Sequence, residues 1–406
     1  MRPRSGRPGA RPRANRTPRP RTACPSPSSS TSVAPEHGPA AEHPPRRRQL
    51  AAAAGFALMA LGWPRSRVRA AEPLEADERV LFLPSTARWL DDGRVEAEVH
   101  AWVYEPDHLR GLNTAFARYL GLRLSKMSPA AQLRFRQRAA LFHAESEDGK
   151  QIDIVFGGDQ PPLRLPPTDR AGRTQARVVV VPPTDATRDA PWLRFRAEMP
   201  RGDLRRAEGR VLLVPPEGLS VVSDIDDTIK HTAVHSRREV LLNTFARPFE
   251  ATPGMAAHYR RLARVADTRF HYLSASPIQL FPALSDFVRS AGFPPGSMHL
   301  RESTTWRTLV PGDQDSRRHK RAMIEQLLAD FPMRRFLLVG DSGEADPEIY
   351  AEVAREHPVR IEAVVIRDVT DEGRDAPRYR TAFDGIADAR WHLLPRDGGR
   401  WPLPLP

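Results

Sequence analysis

Cysteine is almost missing from this chain: among 406 residues there is one, Cys24. It falls in a leader segment, so the folded part has no disulfide, no thiolate zinc site and no cysteine nucleophile. Any chemistry must come from carboxylates, hydroxyls, His, Lys and bound metal. Long apolar runs are missing too. The best candidate, residues 50–63, covers about 21 Å as a helix, short of the roughly 30 Å of a bilayer's hydrocarbon. A general surplus of positive charge is also lacking. The formal charge is +12, yet residues 1–71 hold 14 Arg and 2 Glu, and the remainder holds 48 basic and 48 acidic residues. The folded part is therefore formally neutral, and no nucleic-acid partner is expected. No G-x-x-x-x-G-K-[ST] stretch occurs, which removes the P-loop nucleotide triphosphatases.

The first seventy residues read in two pieces. Residues 1–45 are mainly Pro, Arg, Ser and Ala, too poor in core-forming side chains to fold. They are either disordered or upstream of the true start. Residues 46–71 combine Arg46-Arg47-Arg48, the short apolar run and the small-residue site Val68-Arg69-Ala70. That is the three-part pattern of a secretory signal. The paired arginines fit the twin-arginine type, so a periplasmic or envelope location is expected.

Residues 72–216 carry mostly β signals. Val95, Ala97, Val99 and Ala101 alternate with mainly polar residues, and short runs at 151–156, 176–181, 192–197 and 210–214 end at Pro, Gly or Asp turns. A β-rich, sandwich-like accessory domain is expected, interrupted by a helical pattern over 109–142. Trp89, Trp102 and Trp192 read as core. From 217 to 395 strand-like and helical runs alternate, which predicts an α/β domain with a mainly parallel sheet and helices on both faces. The runs 336–339 and 363–366 are apolar throughout, as strands covered on both faces should be. Residues 396–406 read as a tail.

Function in such sheets sits at the carboxyl ends of the strands. The first run, 219–223, delivers Asp224-Ile225-Asp226-Asp227-Thr228. Carboxylates that close repel one another unless a cation sits among them, and hard oxygen donors point to Mg²⁺. An EF-hand loop is excluded here, because its Gly and distant Glu are missing. Asp224 is the candidate nucleophile. Asp226 is the candidate acid/base, and Thr228 the residue that fixes the loop. The second strand ends at Ser274-Ala275-Ser276-Pro277, where a hydroxyl and backbone N–H groups suit a phosphate oxygen. Lys320, read as opening a helix beside His319, supplies an ammonium for the same phosphate. A later strand ends at Gly340-Asp341, with Gly340 allowing close approach of the backbone and Asp341 as a metal ligand beside Asp224 and Asp226. Asp346 is a supporting residue or a helix cap. For Asp227, Lys230, His231 and His235 a structural role is at least as well supported.

These residues, Asp224-x-Asp226-x-Thr228, Ser274, Lys320 and Gly340-Asp341 with Asp346, resemble the four motifs of the haloacid dehalogenase superfamily. More narrowly, residues 223–230, 272–277, 293–296, His319-Lys320 and 340–350 resemble the catalytic domain of the actin-patch phosphatidate phosphatases and their bacterial relatives. The resemblance covers about 219–370. It implies a Rossmann-like core and Mg²⁺-dependent release of phosphate from phosphatidate through an aspartyl-phosphate, giving diacylglycerol. The accessory β domain and the export signal depart from the eukaryotic members. Some 40 residues separate Thr228 from the second strand, room for a flap but not for a full lid domain. An open site of that kind suits a bulky or membrane-held ester and peripheral membrane contact. The alternatives are an exported phosphomonoesterase on soluble esters and a non-enzymatic lipid-binding envelope protein.

Overall fold

The computed structural model describes residues 71–106, 111–157, 160–182, 191–302 and 313–404. The leader and signal expected over 1–45 and 46–71 lie outside the described residues, apart from Ala71. No helix among the described residues is long and apolar enough to cross a membrane.

The β-rich region is a single hydrogen-bonded sheet of nine strands among the described residues: β1 (Arg79–Leu83), β2 (Ser85–Trp89), β3 (Val95–Glu105), β4 (Glu145–Ser146), β5 (Asp153–Val155), β6 (Leu163–Arg164), β7 (Arg173–Val180), β8 (Trp192–Ala197) and β9 (Glu208–Val214). All pairings are antiparallel except β2 with β9. The alternation along β3 does what it should. Val95, Ala97, Val99 and Ala101 are all buried, in one core with Ile154, Leu193 and Val211. Trp102 is buried as well, Trp192 is half-buried, and Trp89 is 36% exposed, so the reading of all three as core fails for Trp89. The helical interruption is two helices, α1 (Leu112–Tyr119) and α2 (Pro129–Ala139). Ser128 caps α2 by accepting from the Ala131 N–H, with Pro129 in the first turn.

Behind it stands a six-stranded parallel sheet with helices. In chain order its elements are β10 (Leu219–Asp224), α3 (Arg237–Phe245), α4 (Met255–Leu262), β11 (Arg269–Pro277), α5 (Phe281–Ser290), β12 (Gly296–Arg301), α6 (Asp313–Asp330), β13 (Arg335–Asp341), α7 (Asp346–Glu356), β14 (Ile361–Asp368), α8 (Pro377–Ala382) and β15 (Trp391–Pro395). The spatial order is β12-β11-β10-β13-β14-β15, every pair parallel. Successive residues serve opposite faces. Val221, Leu337, Val339 and Val365 pack with α4 and α5, while Val222, Leu338, Val364 and Ile366 pack with α6, α7 and α8. Strand order reverses direction between β10 and β13: the chain goes from β10 outward to β12, then returns to β13 on the other side. A crevice opens at the carboxyl ends of strands at such a reversal, which locates the site.

The two sheets share a core. Trp102, Phe116 and Phe135 of the β-rich region lie in one apolar cluster with Ile225, Phe245 and Leu394. Backbone bonds cross as well, with Met298 N–H donating to the Pro84 carbonyl at 2.9 Å. The tail is anchored too, for Trp401 is buried and the Gly398 carbonyl lies 2.7 Å from His258 Nε2.

Candidate active site

Pairing of β10 with β13 runs up to Ser223 opposite Val339, which carries Asp224 and Asp341 to the same sheet end. Both are buried, at 1% and 0% exposure. Asp346, at the first turn of α7, closes over them, and its side chain lies against Gly340. A methyl group at 340 would collide with the Asp346 carboxylate and sit 2.7 Å from a Tyr350 ring carbon. Glycine at 340 is thus what lets the helix start approach the strand end. Oxygens of Asp224, Asp341 and Asp346 all lie within 4.8 Å of one another.

One ammonium serves this cluster. Lys320 Nζ stands 2.7 Å from Asp224 Oδ1, 2.5 Å from Asp346 Oδ1 and 2.9 Å from Glu344 Oε2, with its side chain 1% exposed. Lys320 does not open its helix, as the sequence suggested. It sits well inside α6, because the helix begins at Asp313. Burial works against its charge, but Asp224, Asp346 and Glu344 together hold its pKa well above the usual lysine value. Burial pushes Asp224 well above the ordinary carboxylate range; Lys320 opposes this, and Asp346, Glu344 and Asp341 add to it. Asp341 is raised in the same way, by burial first and then by Asp346 and Glu344.

Four carboxylates around one ammonium leave negative charge in excess. Two buried oxygens, Asp224 Oδ2 and Asp341 Oδ2, have no hydrogen-bond partner among the described residues. Unpaired buried carboxylate oxygens are costly, and a hard divalent cation bound by oxygen alone would satisfy Asp341 Oδ2 and offset the excess negative charge around Asp224. The donor set therefore fits a metal: three aspartates, no sulfur, no imidazole.

The Asp226 carboxylate stands apart from that group. After Asp224 the chain turns, with the Ile229 and Lys230 N–H groups both bonding the Ile225 carbonyl. The turn faces Asp226 toward Lys230 Nζ, 2.9 Å from Oδ1, and Thr232 Oγ1, which donates to Oδ1 at 2.7 Å. Ser274 Oγ donates to Oδ2 at 2.8 Å, and Ser276 Oγ to the same oxygen at 3.3 Å. Burial alone would raise its pKa, but Lys230, Thr232 and Ser274 outweigh it and hold the carboxyl down to about 2. Asp226 is thus a fixed anion whose side chain is already engaged. Any metal contact through that carboxylate would have to displace Lys230, Thr232 or Ser274.

Asp227 is architectural. It adopts φ 52°, and its carboxylate accepts the N–H groups of Thr232, Ala233 and Val234 at 2.6–2.9 Å. Thr228 is buried, its carbonyl bonded by Thr252 Oγ1 at 2.7 Å and its own hydroxyl unpartnered among the described residues. The Ala275 carbonyl accepts from Arg301 Nε at 3.0 Å. The sequence reading missed Glu344 and Thr232, and it treated Lys230 as no better than structural. Lys230 carried one usable signal, an i,i+4 spacing from Asp226, while Glu344 lay inside the acidic string 341–346.

Above Asp226 opens a cleft of about 490 Å³. Its lining includes polar Thr232, Ser276 and Glu344 and apolar Val240 and Leu241 of α3, Leu280 and Ile349. Anionic and apolar side chains thus line one cleft.

Comparison with known proteins agrees with this geometry. Residues 219–368 match the family described as Phosphatidate phosphatase APP1, catalytic domain. The chain is 39% identical over 171 residues to Phosphatidate phosphatase APP1 of Saccharomyces cerevisiae, covering 41% of this chain and 28% of that protein. It is 33% identical over 160 residues to an uncharacterized protein of Schizosaccharomyces pombe, covering 38% of this chain and 26% of that one. This chain thus spans little more than a quarter of either relative. Among solved structures, a haloacid dehalogenase-like hydrolase from Burkholderia xenovorans aligns at 14% identity with a TM-score of 0.27, covering 45% of this chain and 94% of that one. On the sequence match and the site it encloses, residues 219–368 are similar to the catalytic domain of the APP1 phosphatidate phosphatase family.

Proposed function

We propose that the protein is a Mg²⁺-dependent phosphatidate phosphatase that works through an aspartyl-phosphate on Asp224. The observation that carries this reading is the asymmetry of the Asp224 carboxylate. One oxygen is held by Lys320 at 2.7 Å, and the other is buried and has no hydrogen-bond partner among the described residues, in the cluster with Asp341 and Asp346. A carboxylate oriented by a fixed cation, with its second oxygen free of hydrogen bonds, is arranged to attack a phosphorus brought against it. Bound by Asp224 and Asp341, Mg²⁺ would supply charge neutralisation of the incoming phosphate dianion.

The remaining work falls to side chains. Lys320 keeps its proton and stabilises charge on the transferring group. Asp226, held ionised, is a base for the water that hydrolyses the phosphoenzyme. An arriving phosphate competes for Lys230, Thr232 and Ser274. Each donor it takes from Asp226 lets that carboxyl rise in pKa toward protonating the leaving oxygen. The apolar lining residues Val240, Leu241 and Leu280 favour a leaving group that is itself apolar, such as diacylglycerol. We further propose export by the leader; sequencing the amino terminus of the mature protein should find it just after residue 70.

The test is phosphate release from phosphatidate vesicles and from a panel of soluble esters, with Mg²⁺ and with chelator, for wild type and Asp224→Asn. Release from phosphatidate that needs Mg²⁺ and falls by on the order of a thousandfold in the variant supports the reading. Chelator-insensitive release or an active variant sinks the mechanism. Faster turnover of sugar phosphates than of phosphatidate moves the substrate to the soluble esters.

A further inference from the structure

Between Gly111 and Ala144 the chain has six basic residues and no Asp or Glu. This stretch contains α1 and α2, and both helices show an outward stripe. On α1 the exposed positions are 114, 115, 118 and 119; on α2 they are 129, 130, 133, 136 and 137. Three- and four-residue spacing of this kind marks one solvent face per helix. Arg118, Arg123, Lys126 and Arg136 are exposed, and among the described residues none of the four is ion-paired. Some exposed arginines elsewhere pair, as Arg289 does with Asp286 and Arg335 with Glu362, while others, Arg261 and Arg264 among them, have no ion pair among the described residues. Amid these unpaired cations Leu133 stands 55% exposed.

The inner side of the same helices is built into the phosphatase cleft. Phe116 and Phe135 pack on Phe245 at the end of α3, with ring centroids 5.5 and 5.6 Å apart. Arg138 donates to the carbonyls of Thr244 and Arg247, each at 2.8 Å, and Arg134 to that of Ala246 at 2.9 Å. These are carbonyls that a helix end leaves without partners. Thr244 itself lines the cleft. The pair α1–α2 therefore supports the wall of the substrate cleft from a part of the chain outside residues 219–368.

We propose that the outward face of α1 and α2 is a docking surface for an anionic lipid membrane, which presents the cleft to an ester held in that membrane. The charge is complementary to an anionic leaflet, and unpaired Arg and Lys around an exposed leucine suit an interface that is charged outside and apolar within. A membrane-held substrate is the part that rests on the proposed function; docking itself does not.

The test is co-sedimentation of the full chain with vesicles of phosphatidylserine in phosphatidylcholine and with phosphatidylcholine alone. Binding to the anionic vesicles that weakens with salt is expected, with none to the neutral ones. Arg123→Gln with Arg136→Gln should weaken it about thirtyfold, from roughly fivefold lost for each cation near the surface. Leu133→Ser should weaken it about tenfold through lost apolar burial. Arg261→Gln with Arg264→Gln, in the last turn of α4 and just beyond it, should leave binding unchanged. All these variants should hydrolyse a small soluble phosphate ester as wild type does, so that a failure of docking is separate from a failure of the chemistry. Equal binding to neutral vesicles, docking variants that bind like wild type, or equal weakening by the control pair would overturn the proposal. So would tighter binding of duplex DNA by the same residues.

Discussion

Replacing Lys320 by Met tests whether one ammonium balances the acidic cluster. Methionine is a good helix former of similar length, so α6 should persist while the charge is lost. The lost contacts are the three at 2.5–2.9 Å to Asp224, Asp346 and Glu344. Each unit pair is worth roughly 4 kcal/mol at 4 Å and an intermediate dielectric, but burying the lysine consumes much of that. Removing one partner of a buried pair typically costs about 3–5 kcal/mol, because the remaining charge stays buried. For a unit of this size that lowers the melting temperature by roughly 5–10 °C in chelator. The same substitution removes a cation beside the metal ligands, so the variant should bind Mg²⁺ more tightly. The rise in melting temperature on adding Mg²⁺ should then be larger in Lys320→Met than in wild type, while phosphatase activity is lost. Thermal unfolding with and without Mg²⁺ reads both effects. An unchanged melting temperature in chelator, or a smaller Mg²⁺ response in the variant, would refute this electrostatic reading.

Gly340→Ala should force the start of α7 away from β13, costing about 1–3 kcal/mol and blunting the Mg²⁺-induced stabilisation measured in the same unfolding experiment. Without metal, stability should rise as pH falls from neutral toward 5. Asp224 and Asp341 have raised folded-state pKa values, so the folded form gains protons there that the unfolded form does not. Mg²⁺ should flatten that slope in urea titrations. Asp226 contributes with the opposite sign, but its contribution is present above about 4 and lost only as pH falls toward about 2, outside that window. Arg138→Met should raise KM for phosphatidate more than it lowers kcat, and leave a small aryl phosphate nearly unaffected, because it loosens α3 and not the carboxylates.

The parallel sheet was legible because doubly covered strands read as unbroken apolar runs, and the runs 336–339 of β13 and 363–366 of β14 are of that kind. The carboxyl ends of β10, β11 and β13 then pointed to Asp224, Ser274 and Asp341. Other features left weaker signals. The first turns of α6 have almost no apolar residue before Ala322 and Met323, so periodicity could not reveal that Lys320 lies inside the helix. Pro84 splits β1 from β2, which hid both strands, and β15 is only five residues long. The engagement of Asp226 by Lys230 and Thr232 depends on a turn whose shape comes from Asp227 at positive φ and its three backbone bonds. No spacing rule announces such a turn. The support of α3 by Arg134 and Arg138 joins residues more than a hundred positions apart, and only the packed fold reveals it.

The decisive measurement is the site of covalent phosphorylation during turnover. Asp226→Asn should slow hydrolysis of the intermediate and let it accumulate; acid quenching followed by peptide mass spectrometry then locates the phosphoryl group. The expected result is phosphate on Asp224 and on no other residue, formed only with Mg²⁺. Phosphate on Asp341, Asp226 or a serine, or turnover with no phosphoenzyme in wild type or variant, would contradict it.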